Sequence, residues 1–154
     1  MNSSFAPWPN RCLRTLVLDD DRRWRELVAF NVEMQLGIPP ALASNGKDAL
    51  EILDESPIDL VVSDLIMPEM DGLQFMKRAR LRYPRTKIIL LSADFDAFPV
   101  PPRRLIELGA IAAISKADIA PTLGNLVRIL QEATMTEWLR MTERQLVNPR
   151  SWTT

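Results

Sequence analysis

The residues of this chain that could do chemistry are mainly aspartates that follow apolar segments. Three aspartates occupy positions 19–21, and Asp64 follows a later apolar run. Ser92 and Lys116 follow two further apolar runs. Carboxylates that converge in a partly dry cleft repel one another, and a cation among them relieves that cost. Ligands that are all oxygens select a hard ion such as Mg2+, which binds a few carboxylates together with a phosphate.

This set of groups fits the transfer of a phosphoryl group. A carboxylate nucleophile, a divalent cation, a hydroxyl and an amine are what that reaction requires. Asp64 is the candidate nucleophile, because it stands alone after its apolar run. Ser92 offers a hydroxyl to a phosphoryl oxygen, and Lys116 offers a charge that can pair with Asp64 or with a phosphate. The chain has no histidine, which excludes Ser-His-Asp and Cys-His triads and His-ligated zinc.

Alternating strands and helices are predicted to position these groups. Apolar, β-branched runs predict five strands, at 15–18, 41–43, 58–63, 87–91 and 111–114. Helical spacing of apolar residues predicts five helices, at 22–36, 47–55, 72–82, 103–108 and 122–131. Near-continuous apolar strands favour an α/β fold with a parallel sheet covered on both faces. The strand ends then share one edge, where open α/β sheets bind ligands.

Length and composition are typical of one globular domain. The 154 residues suit a single domain with a sizeable core. A net charge of -1, from 19 basic and 20 acidic residues, lacks the excess of positive charge that binding to a nucleic-acid backbone needs. No apolar run is long enough to cross a membrane, the N-terminus lacks a secretion signal, and the single cysteine fits a reducing compartment. We therefore expect a cytoplasmic protein that binds neither nucleic acid nor membranes directly.

Four segments resemble the signature segments of response-regulator receiver domains in two-component signalling. They are LVLDDD at 16–21, DLVVSDLIMPEMDG at 59–72, IILLSA at 88–93 and GAIAAISK at 109–116. Four motifs in order are much more specific than any one of them. The resemblance covers about 13–131. It implies a flavodoxin-like, doubly wound fold with five helices and five parallel strands in the order 2-1-3-4-5.

The resemblance also implies a metal site beside a phosphoacceptor. Asp64 matches the family's phosphoacceptor, which also binds Mg2+. Asp20 is similar to the direct magnesium ligand, and Asp19 to the acid that acts mostly through water. The backbone carbonyl of Ile66 matches the remaining ligand from the protein. Mg2+ is therefore the expected cofactor.

Two residues match the family's switch groups, and two others depart from its pattern. Ser92 is similar to the switch hydroxyl, and Lys116 to the family's lysine. Where the family has an aromatic residue three positions before that lysine, this chain has Ala113, and the proline that follows the lysine is Ala117 here. Coupling through an aromatic side chain is therefore in question, and a cis bond before alanine would cost about 3 kcal/mol.

The resemblance implies a function in signalling. A histidine kinase or a histidine phosphotransfer protein would donate the phosphoryl group, and a downstream protein target would receive the signal by contact. A second copy of the chain is a further candidate partner. Enzymatic activity beyond the chain's own phosphorylation and dephosphorylation is not expected.

Two other functions stay open. In a haloacid-dehalogenase-type phosphatase, Asp19 would be the nucleophile and Asp21 the acid/base, since they form an acid-x-acid pair after a strand; this leaves Asp64 unexplained. A phosphorylation-independent interaction module would keep only the fold. Ala113 and Ala117 favour that module, and the full acidic set opposes it.

We expect an N-terminal arm at 1–12, a receiver domain at 13–133 and a C-terminal segment at 134–154. Apolar residues in this last segment could extend the final helix as far as Asn148 and make a dimer or partner contact. The alternative is a frayed tail.

Overall fold

The computed structural model of the protein describes residues 12–147. The backbone alone is described at 135, 138–139 and 141–147. The predicted arm at 1–12, apart from Cys12, and the end of the predicted C-terminal segment, 148–154, lie outside the described residues.

Five parallel strands form one sheet in the order β2-β1-β3-β4-β5. The strands are β1 (Thr15–Leu18), β2 (Ala41–Ala43), β3 (Leu60–Asp64), β4 (Lys87–Ser92) and β5 (Ala112–Ser115). Five α-helices accompany them: α1 (Arg22–Leu36), α2 (Gly46–Glu55), α3 (Gly72–Arg82), α4 (Pro102–Glu107) and α5 (Gly124–Val147). The predicted flavodoxin-like fold is confirmed, including its strand order.

Both faces of the sheet are buried, which explains why the strands are apolar throughout instead of alternating with polar residues. Leu16 of β1 belongs to a core cluster with Phe75 of α3 on one face. The next residue, Val17, belongs to a second cluster with Val28 of α1 and Val127 of α5. Successive side chains of a strand point to opposite faces, so α2, α3 and α4 cover one face while α1 and α5 cover the other.

The strand register brings three strand ends to one edge. Leu18, the last residue of β1, pairs with Ser63, one residue before the end of β3. Asp64 at the end of β3 pairs with Leu91, one residue before the end of β4. The residues that follow these strands are therefore neighbours in space.

Two aspartates fix the helices that begin at this edge. The side chain of Asp21 caps α1, and Asp71 caps α3 in a reciprocal capping box with Gln74. The start of α3 lies directly against the end of β3. A Cβ added to Gly72 would overlap the carbonyl oxygen of Asp64 and would lie 2.9 Å from the Cα of Leu65. Glycine is therefore required for this close approach.

The last helix differs from its prediction. It begins at Gly124, after a π-helical turn at Ile119–Leu123, and it continues to Val147 instead of ending near 131. Of the two outcomes open for the C-terminal segment, the helical extension is observed as far as Val147. All other predicted boundaries lie within two residues of the observed ones. Among the described residues, no helix combines the length and the apolar character that crossing a membrane needs.

Candidate functional site

Three carboxylates converge at the shared edge of the sheet. Asp19 and Asp20 follow β1, and Asp64 ends β3. Each offers a carboxylate oxygen, and these oxygens all lie within 4.8 Å of one another. Asp19 and Asp64 are buried, whereas Asp20 is exposed. The cluster is therefore open to solvent on the side of Asp20.

The side chain of Lys116, which follows β5, enters this cluster. Its Nζ lies 2.8 Å from Oδ2 of Asp19 and 3.4 Å from Oδ1 of Asp64. Only 5% of the lysine side chain is exposed. Lys116 contacts two of the three carboxylates, so the cluster has excess negative charge when all three are ionised and then favours a further cation.

Burial and mutual repulsion perturb the two buried acids. Burial, and next the charge of Asp19, raises the pKa of Asp64 to about 7, while Lys116 opposes the rise. Burial also raises the pKa of Asp19, against the hydrogen bond from Lys116 and that from the Asp21 N–H. Both shifts follow from taking carboxylates out of water near one another.

Ser92 and Ile66 lie at the same edge of the sheet as the cluster. Ser92 ends β4, next to β3, and is buried; its Oγ accepts a hydrogen bond from the Asp94 N–H at 3.1 Å. Ile66 lies in the loop after β3 and is 44% exposed. Within the part of the chain that the structure describes, the Ile66 carbonyl accepts no hydrogen bond, so its lone pairs are available to a ligand.

The third aspartate of the acidic run turns away from the cluster. Oδ1 of Asp21 accepts hydrogen bonds from the N–H groups of Arg23 at 2.8 Å and Trp24 at 3.3 Å. Its carboxylate therefore serves the first turn of α1 as an N-cap. The acid/base role that a dehalogenase-type phosphatase would require of Asp21 is not supported by this arrangement.

Two residues of α1 contact the site but are not among its predicted members. The Lys116 Nζ lies 5.0 Å from the centroid of a Trp24 ring. The Arg25 guanidinium donates from Nη1 to the Asp19 carbonyl oxygen at 2.8 Å. One sequence feature could have identified Trp24 and Arg25 as site residues: they belong to the helix that directly follows the acidic run.

The two departures from the family pattern have visible consequences. Ala113 is half-buried and lines a shallow apolar groove of about 530 Å3 with Ile106, Ile114 and Ile129. Alanine has no side-chain rotamers, so no side chain can rotate at this position to report on the site. The bond between Lys116 and Ala117 is trans.

Relatives of known sequence are response regulators and related signalling proteins. The family model of the response regulator receiver domain matches residues 15–128. The regulatory protein AtoC of Escherichia coli K12 is 30% identical in an alignment of 139 residues, which covers 81% of this chain and 29% of AtoC. The protein-glutamate methylesterase/protein-glutamine glutaminase of Treponema denticola is 31% identical over 105 residues, which are 68% of this chain and 28% of that protein. The chain thus spans less than a third of the length of these curated relatives.

Solved receiver domains have the same fold. The receiver domain of the Francisella response regulator 1452 has a TM-score of 0.68 and 27% identity, covering 79% of this chain and 98% of that one. The Vibrio cholerae chemotaxis protein CheY4 has a TM-score of 0.62 and 26% identity, again covering 79% and 98%. Because the family model matches most of the chain, from β1 into α5, this protein belongs to the response regulator receiver domains of two-component systems.

Proposed function

We propose that the chain accepts a phosphoryl group on Asp64 as a step of a phosphorelay. The observation that carries this proposal is the convergence of three carboxylates within 4.8 Å, with Lys116 in contact with two of them. Asp64 is the acid at the end of the central strand β3, and this residue is 6% exposed. This burial limits the contact of Asp64 with bulk water, although the cluster is open to solvent on the side of Asp20.

The proposed step is an in-line displacement at phosphorus. A carboxylate oxygen of Asp64 forms a new P–O bond as the P–N bond of a phosphohistidine breaks. The electron pair of the broken bond goes to the imidazole nitrogen of the donor. Lys116 is placed to pair with an oxygen of the transferred group, and the Ser92 hydroxyl is a second candidate donor to it.

The donor atoms at the site fit Mg2+, which prefers oxygen ligands. Asp20, Asp64 and the Ile66 carbonyl are the residues that would hold the ion, with Asp19 acting through water. When bound, Mg2+ would supply positive charge that offsets the charge on the phosphoryl oxygens. The exposed position of Asp20 suits a ligand through which an ion enters from solvent.

We infer that the phosphoryl donor is a histidine kinase or a histidine phosphotransfer protein, and that a downstream protein target reads the result by contact. The membership of the receiver family supports both partners. Three further expectations stay predictions: a cytoplasmic location, a homodimer, and the division into arm, domain and C-terminal segment.

A phosphorylation-independent interaction module is the second candidate. Ala113 favours it, because an alanine in the groove of α4, β5 and α5 removes the aromatic side chain expected to report on the site. The intact acidic cluster favours phosphoacceptance, since three converging carboxylates repel one another and destabilise the fold unless a cation binds among them.

Mapping the phosphoryl group tests the proposal. With Mg2+ and acetyl phosphate or a kinase, we expect mass spectrometry to find the label on the peptide that contains Asp64. Asp64→Asn should take no label, whereas Asp118→Asn, an exposed acid near Lys116, should label like the wild type. Label in the Asp64→Asn variant contradicts the proposal, and label on Asp19 would favour the phosphatase.

A wild-type chain that takes no label from acetyl phosphate or from any of a panel of kinases would favour the interaction module. The two candidate functions thus give opposite results in one assay.

A further inference from the structure

We propose that Trp24 is a positioning residue that holds the Lys116 ammonium beside Asp64, a role that rests on the function proposed above. The ammonium has three N–H donors. Two partners are Oδ2 of Asp19 at 2.8 Å and Oδ1 of Asp64 at 3.4 Å. Nζ also lies over the Trp24 ring, 5.0 Å from its centroid. This distance is within the range of a cation–π interaction.

The cap of α1 fixes the backbone turn that carries Trp24. Asp21 accepts a hydrogen bond from the Trp24 N–H, which fixes the first turn of the helix at the site edge. Side chains of a helix lean toward its N-terminus, and the N-terminus of α1 begins beside the carboxylates. Trp24 is half-buried and packs against the core cluster that includes Val28 and Ile119. The core contacts thus hold the ring, and the cap holds the backbone of its helical turn.

A neutral ring suits this task better than another acid. A lysine stem is flexible, so the ammonium needs partners on every side to stay at one point. A further carboxylate would add to the repulsion at Asp64 and would compete with phosphoryl oxygens for the ammonium. The π face attracts the charge without either effect, and the attraction is larger where the ammonium is shielded from water.

The ring over Lys116 belongs to α1, and β5 contains no aromatic residue. Ala113 stands three positions before Lys116 and Ala117 directly follows it, and neither is aromatic. In the described part of the chain, Trp24 is the aromatic residue that lies over Lys116. Trp24 thus controls the fraction of time for which the ammonium points at Asp64. We expect the rate of phosphoryl transfer to be proportional to this fraction.

The test compares variants that keep or remove the ring. Trp24→Phe keeps a π face, whereas Trp24→Met and Trp24→Leu keep apolar bulk without one. With acetyl phosphate and Mg2+, we expect the initial rate of Asp64 phosphorylation to fall about fivefold in Trp24→Met and Trp24→Leu, and to fall about twofold or less in Trp24→Phe. Phe30→Met is the matched control, because Phe30 is an aromatic residue of the same helix that is 60% exposed; its rate should equal that of the wild type.

A second measurement follows the lysine itself. The ring current of Trp24 should shift the ε-methylene protons of Lys116 in carbon-edited NMR spectra of the full chain. We expect this shift in the wild type and in Trp24→Phe, and its loss in Trp24→Met. A residue that only fills space in the core would not produce this dependence on the ring. Spectral dispersion in the same experiment shows that each variant is folded.

The outcomes separate the two proposals. Wild-type rates in both Trp24→Met and Trp24→Leu, or an unchanged Lys116 shift in them, overturn the positioning role while Asp64 still labels. A wild-type chain that takes no label overturns the proposed function and the positioning role with it.

Discussion

Lys116 and Asp19 form a buried ion pair, with 2.8 Å between Nζ and Oδ2, although β3 and β4 separate their strands in the sheet. The lysine follows the edge strand β5, and its long side chain crosses the ends of the intervening strands to reach β1. It contacts Asp64 at the end of β3 as well. One flexible side chain thus joins three strands at the edge where the carboxylates collect.

Replacement of Lys116 by methionine should destabilise the fold. We expect the free energy of unfolding to fall by about 3 kcal/mol at pH 8 without Mg2+, because two buried carboxylates lose their counter-charge. Urea unfolding followed by circular dichroism measures the change. Lys87→Met, which replaces an exposed lysine at the start of β4, should change the free energy by about 0.5 kcal/mol or less. Equal effects of the two variants would mean that the ion pair does not stabilise the fold.

The stability of the metal-free protein should depend on the ionisation of Asp64. Its pKa is raised to about 7 in the fold, while an unfolded aspartate titrates near 3.9. Between these values the folded state binds the extra proton, so this group's stabilising contribution is complete at low pH and is lost as pH rises through 7. We therefore expect the free energy of unfolding to decrease from pH 5 to pH 8 relative to that of Asp64→Asn.

Urea unfolding of the two proteins at four pH values, with a chelator present, measures this difference. The comparison with Asp64→Asn removes the contribution of acids that do not interact with Asp64. At pH 8 the variant should be more stable by about 1 to 3 kcal/mol, because one of three repelling carboxylates is gone. Parallel pH profiles would show that the pKa of Asp64 is not raised.

Mg2+ should stabilise the wild-type chain more than a variant without Asp20. An ion that binds only the folded state raises the free energy of unfolding, by about 2.7 kcal/mol at a hundred times its dissociation constant. Thermal unfolding across a Mg2+ titration should show a rising midpoint in the wild type and a weaker response in Asp20→Asn. Glu51→Gln removes an exposed acid of α2 and should respond like the wild type. A response of Asp20→Asn equal to that of the wild type would exclude Asp20 as a ligand.

Gly72→Ala should disturb both the fold and the position of Asp64. The added Cβ would overlap the Asp64 carbonyl oxygen, and relief of such crowding costs about 1 to 3 kcal/mol. We expect lower stability and slower labelling of Asp64, because its backbone must move. Gly124→Ala is the control, since its Cβ would meet only the flexible side chain of Gln35, at 3.3 Å; its effect should stay within about 1 kcal/mol. Unchanged labelling in Gly72→Ala would show that the end of β3 tolerates the shift.

The sequence by itself determined the elements and the set of reactive groups. Periodicity placed five strands and five helices, because burial on both sheet faces requires apolar strands and one-sided helices. The order of parallel strand ends then brings Asp20, Asp64 and Lys116 to one edge. These features are local patterns or direct consequences of the topology, so they can be inferred without coordinates.

Only the tertiary structure decided how neighbouring residues divide between tasks. Asp19 turns inward, where burial raises its pKa, while Asp21, two positions later, caps α1. Trp24 lies over Lys116 because α1 packs against the sheet at a particular rotation, and α5 continues to Val147 beyond its predicted end. Such outcomes depend on contacts between residues far apart in the chain, and a pattern of residue types does not encode the direction in which one side chain finally points.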